Sequence, residues 1–316
     1  KPEHHDFEIA KGIKEAIQVY PMYENAIRYA RKESVPEHLK RVSELWARFN
    51  EVAIQNPNAW IQDAFTAEEI RTPTDTNRRI SFPYTKMMNA NMSVDMGAAI
   101  ILCSVEKARE LRIPEEKWVY PLAGVQGYDH FSASVRDNFH SSPGLGLVGK
   151  RVMELAKVSP EEVDYVDLYS CFPSAVQIAA RELGFSEERQ LTVTGGLTFG
   201  GGPLNNYVMH AVARTVELLR KAPGKKAFVS ANGGNLYKHV HCVYSSQAPE
   251  EPYQYENIQQ EIDALPSRIC LPEYDGKVEV ESYSVMYTGE QPAIAHCSGI
   301  TSDGARVWSN CYDEDV

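Results

Sequence analysis

Long apolar runs are missing from this chain of 316 residues: no stretch approaches the roughly 20 consecutive apolar residues that span a bilayer. A basic cluster is missing too. With Lys and Arg at 32 against Asp and Glu at 43 the formal charge is −11, so nothing here attracts nucleic acid or an anionic membrane surface. Cysteine is sparse and scattered. None of Cys103, Cys171, Cys242, Cys270, Cys297 and Cys311 falls in a C-x-x-C pair, and the nine histidines complete no zinc spacing with them. The expectation is therefore no metal, and free thiols in an intracellular, reducing compartment such as cytoplasm, mitochondrion or peroxisome. The chain opens Lys1-Pro2-Glu3-His4-His5-Asp6, with neither Met nor a signal-peptide pattern, which reads as a start in mid-protein. Its last residues, Asp313-Glu314-Asp315-Val316, are no peroxisomal address.

What is present describes a folded, water-soluble protein: 43% hydrophobic and 24% charged residues, with length to spare for a core. The first 80 residues read as helices. Leu39, Val42, Leu45, Trp46, Phe49, Val52 and Ala53 recur at three and four, and Ser34 with Glu37 forms a capping box before them. From residue 95 the texture changes. Met96 to Cys103 (MGAAIILC) is apolar throughout and predicts a strand buried on both faces, with Cys103 inert within it. Ser104 caps a helix to about Leu111. Further strands are predicted over 118–125, 163–168, 227–231 and 240–245, and helices over 147–156, 174–183 and 204–220. That alternation implies a mostly parallel layered sheet. Residues 247–276 read as a linker or surface arm. The tail, with strands over 278–287, 293–299 and 306–311 and a turn at Ser302-Asp303-Gly304, reads as a small β-rich appendage.

Three stretches carry candidate chemistry. Gly195-Gly196-Leu197-Thr198-Phe199-Gly200-Gly201-Gly202-Pro203 opens a helix, where main-chain amides can hold an anion or oxyanion; it is equally a tight strand-to-helix turn. Ser230-Ala231-Asn232-Gly233-Gly234-Asn235 follows a strand and can aim amides into a cleft. Just beyond it, alternation puts His239 and His241 on one strand face, as a general base or as satisfied core histidines. Third, Val166-Asp167-Leu168-Tyr169-Ser170-Cys171-Phe172-Pro173-Ser174 ends a strand and begins a helix. Tyr169 is a candidate proton donor there, and Cys171 either a lowered-pKa thiol or a small buried hydrophobe.

From about Tyr20 to Ser246 the order of these landmarks resembles the C-terminal half of the thiolase superfamily, in particular the sterol-carrier-type thiolases and the thiolase-like acetyl-CoA acetyltransferases. Met88-Asn89-Ala90-Asn91 through Ala99 resembles the strand opening the second half. Tyr169-Ser170-Cys171-Phe172 stands at the His-Asp-Cys-Phe position, Gly195 to Pro203 at the Gly-Gly to Gly-His-Pro motif, and Asn232-Gly233-Gly234 near the Cys-x-Gly loop. Val278 to Trp308 is similar to the small β extension of such chains. The resemblance implies a thiolase-like layered αβαβα fold, of which this chain holds the C-terminal half and an incomplete N-terminal half. It implies residues 1–94 as a helical loop region, 95–246 as the C-terminal domain and 247–316 as linker and extension.

The departures are chemical. Gly202 stands where the family has its Gly-His-Pro histidine, Asn232 stands at or near the second cysteine, and the nucleophilic cysteine belongs to the preceding half. The implied activity is acyltransfer on acyl-CoA, by Claisen condensation or thiolytic cleavage, with coenzyme A as substrate and no other cofactor. His239 would be acid/base, Tyr169 proton donor, and Asn205 or Asn232 would polarise a carbonyl. Amides of Gly201, Gly202, Gly233 and Gly234 would receive the oxyanion. A retro-aldolase on β-hydroxyacyl-CoA, centred on Tyr169, and a non-catalytic CoA-ester-binding subunit are the alternatives. A homodimer or dimer of dimers is implied, and a partner chain that supplies or covers the missing half is a further expectation.

Overall fold

A computed structural model describes residues 3–312; Lys1-Pro2 and Asp313 to Val316, on which the readings of the two chain ends rest in part, lie outside the described residues. The N-terminal quarter is helical: α1 (Asp6–Ala10), α2 (Ala16–Arg31), α3 (Val35–Gln55) and α4 (Ala67–Arg71). In α3 the apolar stripe is buried as its spacing requires, through Leu45, Trp46, Phe49 and Ala53, and Ser34 and Glu37 close the capping box. Two short strands follow, β1 (Arg79–Phe82) and β2 (Tyr84–Thr85), then α5 (Val105–Glu110), whose cap is the Ser104 side chain.

The remaining elements are β3 (Tyr120–Tyr128), α6 (Pro143–Leu155), β4 (Tyr165–Asp167), α7 (Pro173–Leu183), α8 (Tyr207–Lys221), β5 (Lys226–Gly233), β6 (Lys238–Ser245), β7 (Gln254–Asn257), α9 (Gln259–Asp263), β8 (Glu279–Thr288), β9 (Gln291–Ile300) and β10 (Arg306–Cys311). They build two five-stranded sheets, ordered β4-β5-β6-β3-β7 and β10-β9-β8-β1-β2. Among the described residues no helix is long and apolar enough to cross a membrane.

Four expectations need correction. The first sheet is mixed rather than mostly parallel: β4 with β5 and β3 with β7 run parallel, but β6 is antiparallel to both its neighbours, because the short Gly233–Tyr237 turn folds it straight back on β5. Residues 247–276 are not only an arm, since β7 extends the sheet beside β3 and Ile262 of α9 is buried. The tail is no separate appendage either: β8 pairs with β1, and the Ser282 and Ser284 hydroxyls donate to carbonyls of Met22 and Gln18 on α2. Finally, Met96 to Cys103 forms no strand. The segment is irregular, and Ile101, Leu102 and Cys103 are exposed. Its sequence suits a strand, but a strand needs neighbours on which to spend its amides and carbonyls, and none reaches it.

Side chains of β5 leave the sheet in alternation. Phe228 enters the large core with α6, α7 and α2, while the next residue, Val229, enters a small cluster with Tyr207, Ala211 and Val212 of α8. One sheet face is thus covered by several helices and the other mainly by α8.

The helical quarter is tied to the sheet by a buried carboxylate. Glu24 of α2 accepts from the Tyr84 hydroxyl at 2.6 Å and the Gln177 amide at 2.7 Å, and lies 2.6 Å from His38 Nε2. Burial alone would raise its pKa, but the hydrogen bonds from His38, Tyr84 and Gln177 outweigh burial and hold it below the ordinary value. Glu24→Ala leaves His38 Nε2 and the Gln177 amide without this buried partner and removes one of the Tyr84 bonds, and urea unfolding should record a loss of about 3–5 kcal/mol, against under about 0.5 kcal/mol for the exposed Glu44→Ala. Equal effects of the two would remove Glu24 from this role.

Candidate functional site

The segment Tyr169-Ser170-Cys171 lies between the end of β4 and the start of α7. Both glycine turns attach to it. Ser170 Oγ accepts from the Leu197 amide at 3.2 Å, which fixes the first turn. Asn232 of the second turn points its Nδ2 at Cys171 Sγ, 3.8 Å away, and the Tyr169 amide donates to Ser230 Oγ at 2.8 Å. Tyr20, arriving from α2, completes the group: Asn232 Nδ2 donates to its hydroxyl at 3.1 Å, which in turn donates to the Gly234 carbonyl at 3.2 Å. The Tyr20 ring is stacked on Phe172, with centroids 4.4 Å apart. Asn232 Oδ1 has no partner among the described residues and is closed off from water.

Every titratable group here is held neutral. Burial, reinforced by the neighbouring Cys171, raises the Tyr169 phenol above its ordinary range. Burial likewise raises Tyr20, and pushes the Cys171 thiol up to about 12. Of the two readings of Cys171, the buried hydrophobe fits this environment. The Tyr169 ring meets Tyr207 edge-on, with centroids 5.4 Å apart, which places it on the α8 side of the sheet.

Asp167, the last residue of β4, fixes the loop. Its Oδ2 accepts from the Val193 amide at 2.9 Å and Thr192 Oγ1 at 3.0 Å, and its Oδ1 accepts from the Tyr207 hydroxyl at 2.9 Å. Thr192 Oγ1 accepts from the amides of Gly195 and Gly196. Residues Gly196–Gly200 then make a single π-type turn. At Gly195, with φ +99°, a side chain would run into Ala53 of α3, so glycine is required both for conformation and for close approach.

Of the predicted site residues, Asn232 and Gly234 meet at Tyr20, beside Gly233, whereas Tyr169 joins them only through its backbone amide and turns its ring to Tyr207. Gly201 and Gly202 are buried in the other turn, and the Gly202 amide donates to the Asn91 carbonyl at 2.9 Å. Asn205 is exposed in the short turn before α8. His239 is fully buried and turned to another group: its Nε2 lies 3.2 Å from Asp129 Oδ2 and 3.3 Å from Ser142 Oγ, under α6. His241 shares that face, and burial lowers it to about 3. Sequence reasoning missed Tyr20, which reads only as part of an amphipathic helix, and treated Asp167 as an ordinary strand residue. Among the described residues no group of three His, Cys, Asp or Glu could hold a metal.

No protein-family model matches the chain. A solved structure, a monomeric SCP2-thiolase-like protein type 1 from Mycobacterium smegmatis, superposes with a TM-score of 0.90 at 33% identity, covering 98% of this chain and 69% of that one. An acetyl-CoA acetyltransferase from Methanothermobacter thermautotrophicus is 24% identical over 202 residues, 58% of this chain and 51% of that protein. A 17-hydroxy-3-oxo-4-pregnene-20-carboxyl-CoA lyase from Mycobacterium tuberculosis is 26% identical over 163 residues, 49% of this chain and 40% of that protein. The chain spans about half, or less, of the length of these curated relatives.

Burial raises the Asp167 carboxyl from its ordinary value of 3.8 to about 6, against the hydrogen bonds it accepts. A group with a raised folded pKa binds its proton more tightly when folded, so its contribution to stability falls as pH rises from about 4 to 6. Relative to Asp167→Asn, the natural chain should lose roughly 2–3 kcal/mol of unfolding free energy between pH 4 and pH 7. Denaturant titrations of both at each pH test this, and a pH-independent difference would refute it.

Proposed function

The chain belongs to the thiolase superfamily, as an SCP2-thiolase-like protein, and from that premise we propose that it is a carbon–carbon lyase acting on a β-hydroxyacyl-CoA. The observation that carries this reading is a set of neutral donors on one segment, Asn232 and Tyr20 beside Cys171 and the Tyr169 phenol on the α8 side, with burial holding the Cys171 thiol in its protonated form. Neutral donors in a buried site favour charge that appears only during reaction, such as the enolate of a thioester.

In the proposed step the bond between Cα and Cβ breaks and the β-hydroxyl oxygen becomes the carbonyl of the released aldehyde or ketone. Asn232 holds the thioester oxygen as it gains charge. Tyr169 passes its phenolic proton to Cα and takes the hydroxyl proton, so the residue is regenerated and atoms balance. Coenzyme A enters only as part of the substrate. The similarity to a protein named as a CoA lyase supports this reading.

Acyltransfer is the second reading, supported by the relatives named acetyl-CoA acetyltransferase. It needs a thiolate and a base beside it. Burial pushes Cys171 and Cys242 up to about 12 and about 11, and His239 is engaged with Asp129 and Ser142. The donors around Tyr169-Ser170-Cys171 support the lyase, whereas a nucleophile in the half of the family fold that this chain does not match would support acyltransfer. Self-association is part of neither proposal; the M. smegmatis relative is described as monomeric.

The test is made on the protein as its cell produces it. Aldehyde release from a 3-hydroxyacyl-CoA should be observed, and Tyr169→Phe should lower kcat at least ~100-fold with KM changed less than ~3-fold, as expected for loss of a proton-transfer group. Thiolysis of acetoacetyl-CoA without aldehyde release would install the acyltransferase reading instead. Tight CoA-ester binding with neither reaction would leave a non-catalytic binding subunit.

A further inference from the structure

Asn232 stands at the end of β5, and the turn that follows it is held from outside at three successive carbonyls. The Gly234 carbonyl accepts from the Tyr20 hydroxyl at 3.2 Å, the Asn235 carbonyl from the Tyr23 hydroxyl at 3.0 Å, and the Leu236 carbonyl from Arg136 Nη1 at 2.6 Å. Leu236 has φ +60°, a left-handed conformation that a side chain of this size holds only where its surroundings impose it. Arg136 is buried as well. A guanidinium out of water ordinarily takes a carboxylate partner. The carboxylate beside it, Asp129, is 3.9 Å from Nη1 and already accepts from Ser142 Oγ, with His239 Nε2 at 3.2 Å. Both Nη groups of Arg136 donate instead to main-chain carbonyls, those of Leu236 and Ser141, each at 2.6 Å, and the group lies over the Tyr23 ring, 5.1 Å from its centroid. It clamps two loops together rather than closing an ion pair.

The clamp is in turn held by the C-terminal sheet. Arg306 of β10 is fully buried and paired with Glu281 of β8, and its Nη1 donates to the carbonyls of Ala133 at 2.9 Å, Ser134 at 3.1 Å and Arg136. Trp308 Nε1 donates to Ser134 Oγ at 2.9 Å. Contacts therefore run unbroken from β10 to the Arg136 backbone, from the Arg136 side chain to Leu236, and along four residues of chain to Asn232. We infer that Arg136 is a positioning residue for the Asn232 amide, supported through Arg306 by the C-terminal sheet. The inference rests on the role of Asn232 in the reaction proposed above. A misplacement of about 1 Å costs on the order of 100-fold in rate, and it falls on the reacting geometry rather than on binding.

Arg136 also lines a pocket of about 80 Å³ with His130, Asp137 and Leu265, which gives a small cation a way into the space its side chain fills. In the natural full-length protein, Arg136→Ala should lower kcat at least ~30-fold with KM changed less than ~3-fold. Guanidinium chloride at ~20 mM, far below the molar range that unfolds proteins, should then raise kcat at least ~5-fold while leaving the unaltered protein's rate as it was. Arg136→Lys replaces the fork by a single ammonium, should fall between the two, and keeps the test available if the alanine variant does not fold. Deuterium uptake over amides 233–237 should speed up in Arg136→Ala and slow again with guanidinium. Arg306→Lys should lower kcat in the same sense, again with KM held. An unchanged kcat, a loss that guanidinium does not relieve, or uptake over 233–237 that stays slow would each overturn the inference. Where the unaltered protein carries out thiolysis instead of aldehyde release, the variants are read on that reaction. Where it carries out neither, the reaction assignment fails by itself, and the uptake over 233–237 alone decides whether Arg136 holds the turn.

Discussion

A single buried carboxylate, Asp167, sets the geometry on which the site depends. It ends β4, and from there two oxygens organise three elements: the Thr192–Val193 approach to the glycine turn, the turn itself through Thr192 Oγ1, and the first residue of α8 through the Tyr207 hydroxyl. Among the described residues no cation pairs with it. Its charge is held by donors of the loop it orders and by the Tyr207 hydroxyl, and burial still raises its pKa to about 6. The loop and the carboxylate therefore stand or fall together, and Tyr169, two residues on and edge-on against Tyr207, inherits its position from that arrangement.

The same burial decides the character of the chemistry. Apart from Asp167 itself, the groups around Tyr169-Ser170-Cys171 are phenols, a thiol and an amide, all neutral at ordinary pH, and burial raises the phenols and the thiol further above it. Such a site is poor at presenting a charged nucleophile and well suited to receiving negative charge from a substrate. The His–Asp contact of His239 with Asp129 lies under α6, where burial would raise the Asp129 carboxyl but His239, Arg136 and Ser142 lower it decisively. That pairing serves the packing of α6 on β6.

Much of this was legible in the sequence where local chemistry and tertiary packing agree. The α3 stripe and its Ser34–Glu37 box, the Ser104 cap, the strands read over 227–231 and 240–245 and the Ser302-Asp303-Gly304 turn each follow from local sequence. Alternation also put His239 and His241 on one face of β6, but it cannot say which layer covers that face, and α6 rather than the substrate side does so. Tyr20 was invisible because its partner Asn232 is 212 residues away. Met96 to Cys103 suits a strand by composition, but a strand's conformation is decided by its neighbours, and among the described residues none pairs with it.

The glycine turn links these observations. Its amides at Gly195, Gly196, Leu197 and Gly202 are all engaged within the protein, by Thr192, Ser170 and Asn91, so its glycines serve close packing more than anion binding. On one side it presses against Phe49 and Ala53 of α3; on the other, Leu197 and Gly202 clasp Asn91 in two main-chain hydrogen bonds. Asn91 is the last ordered anchor before the unpaired segment. The turn that fixes Ser170 is therefore held from both sides, by α3 and by Asn91.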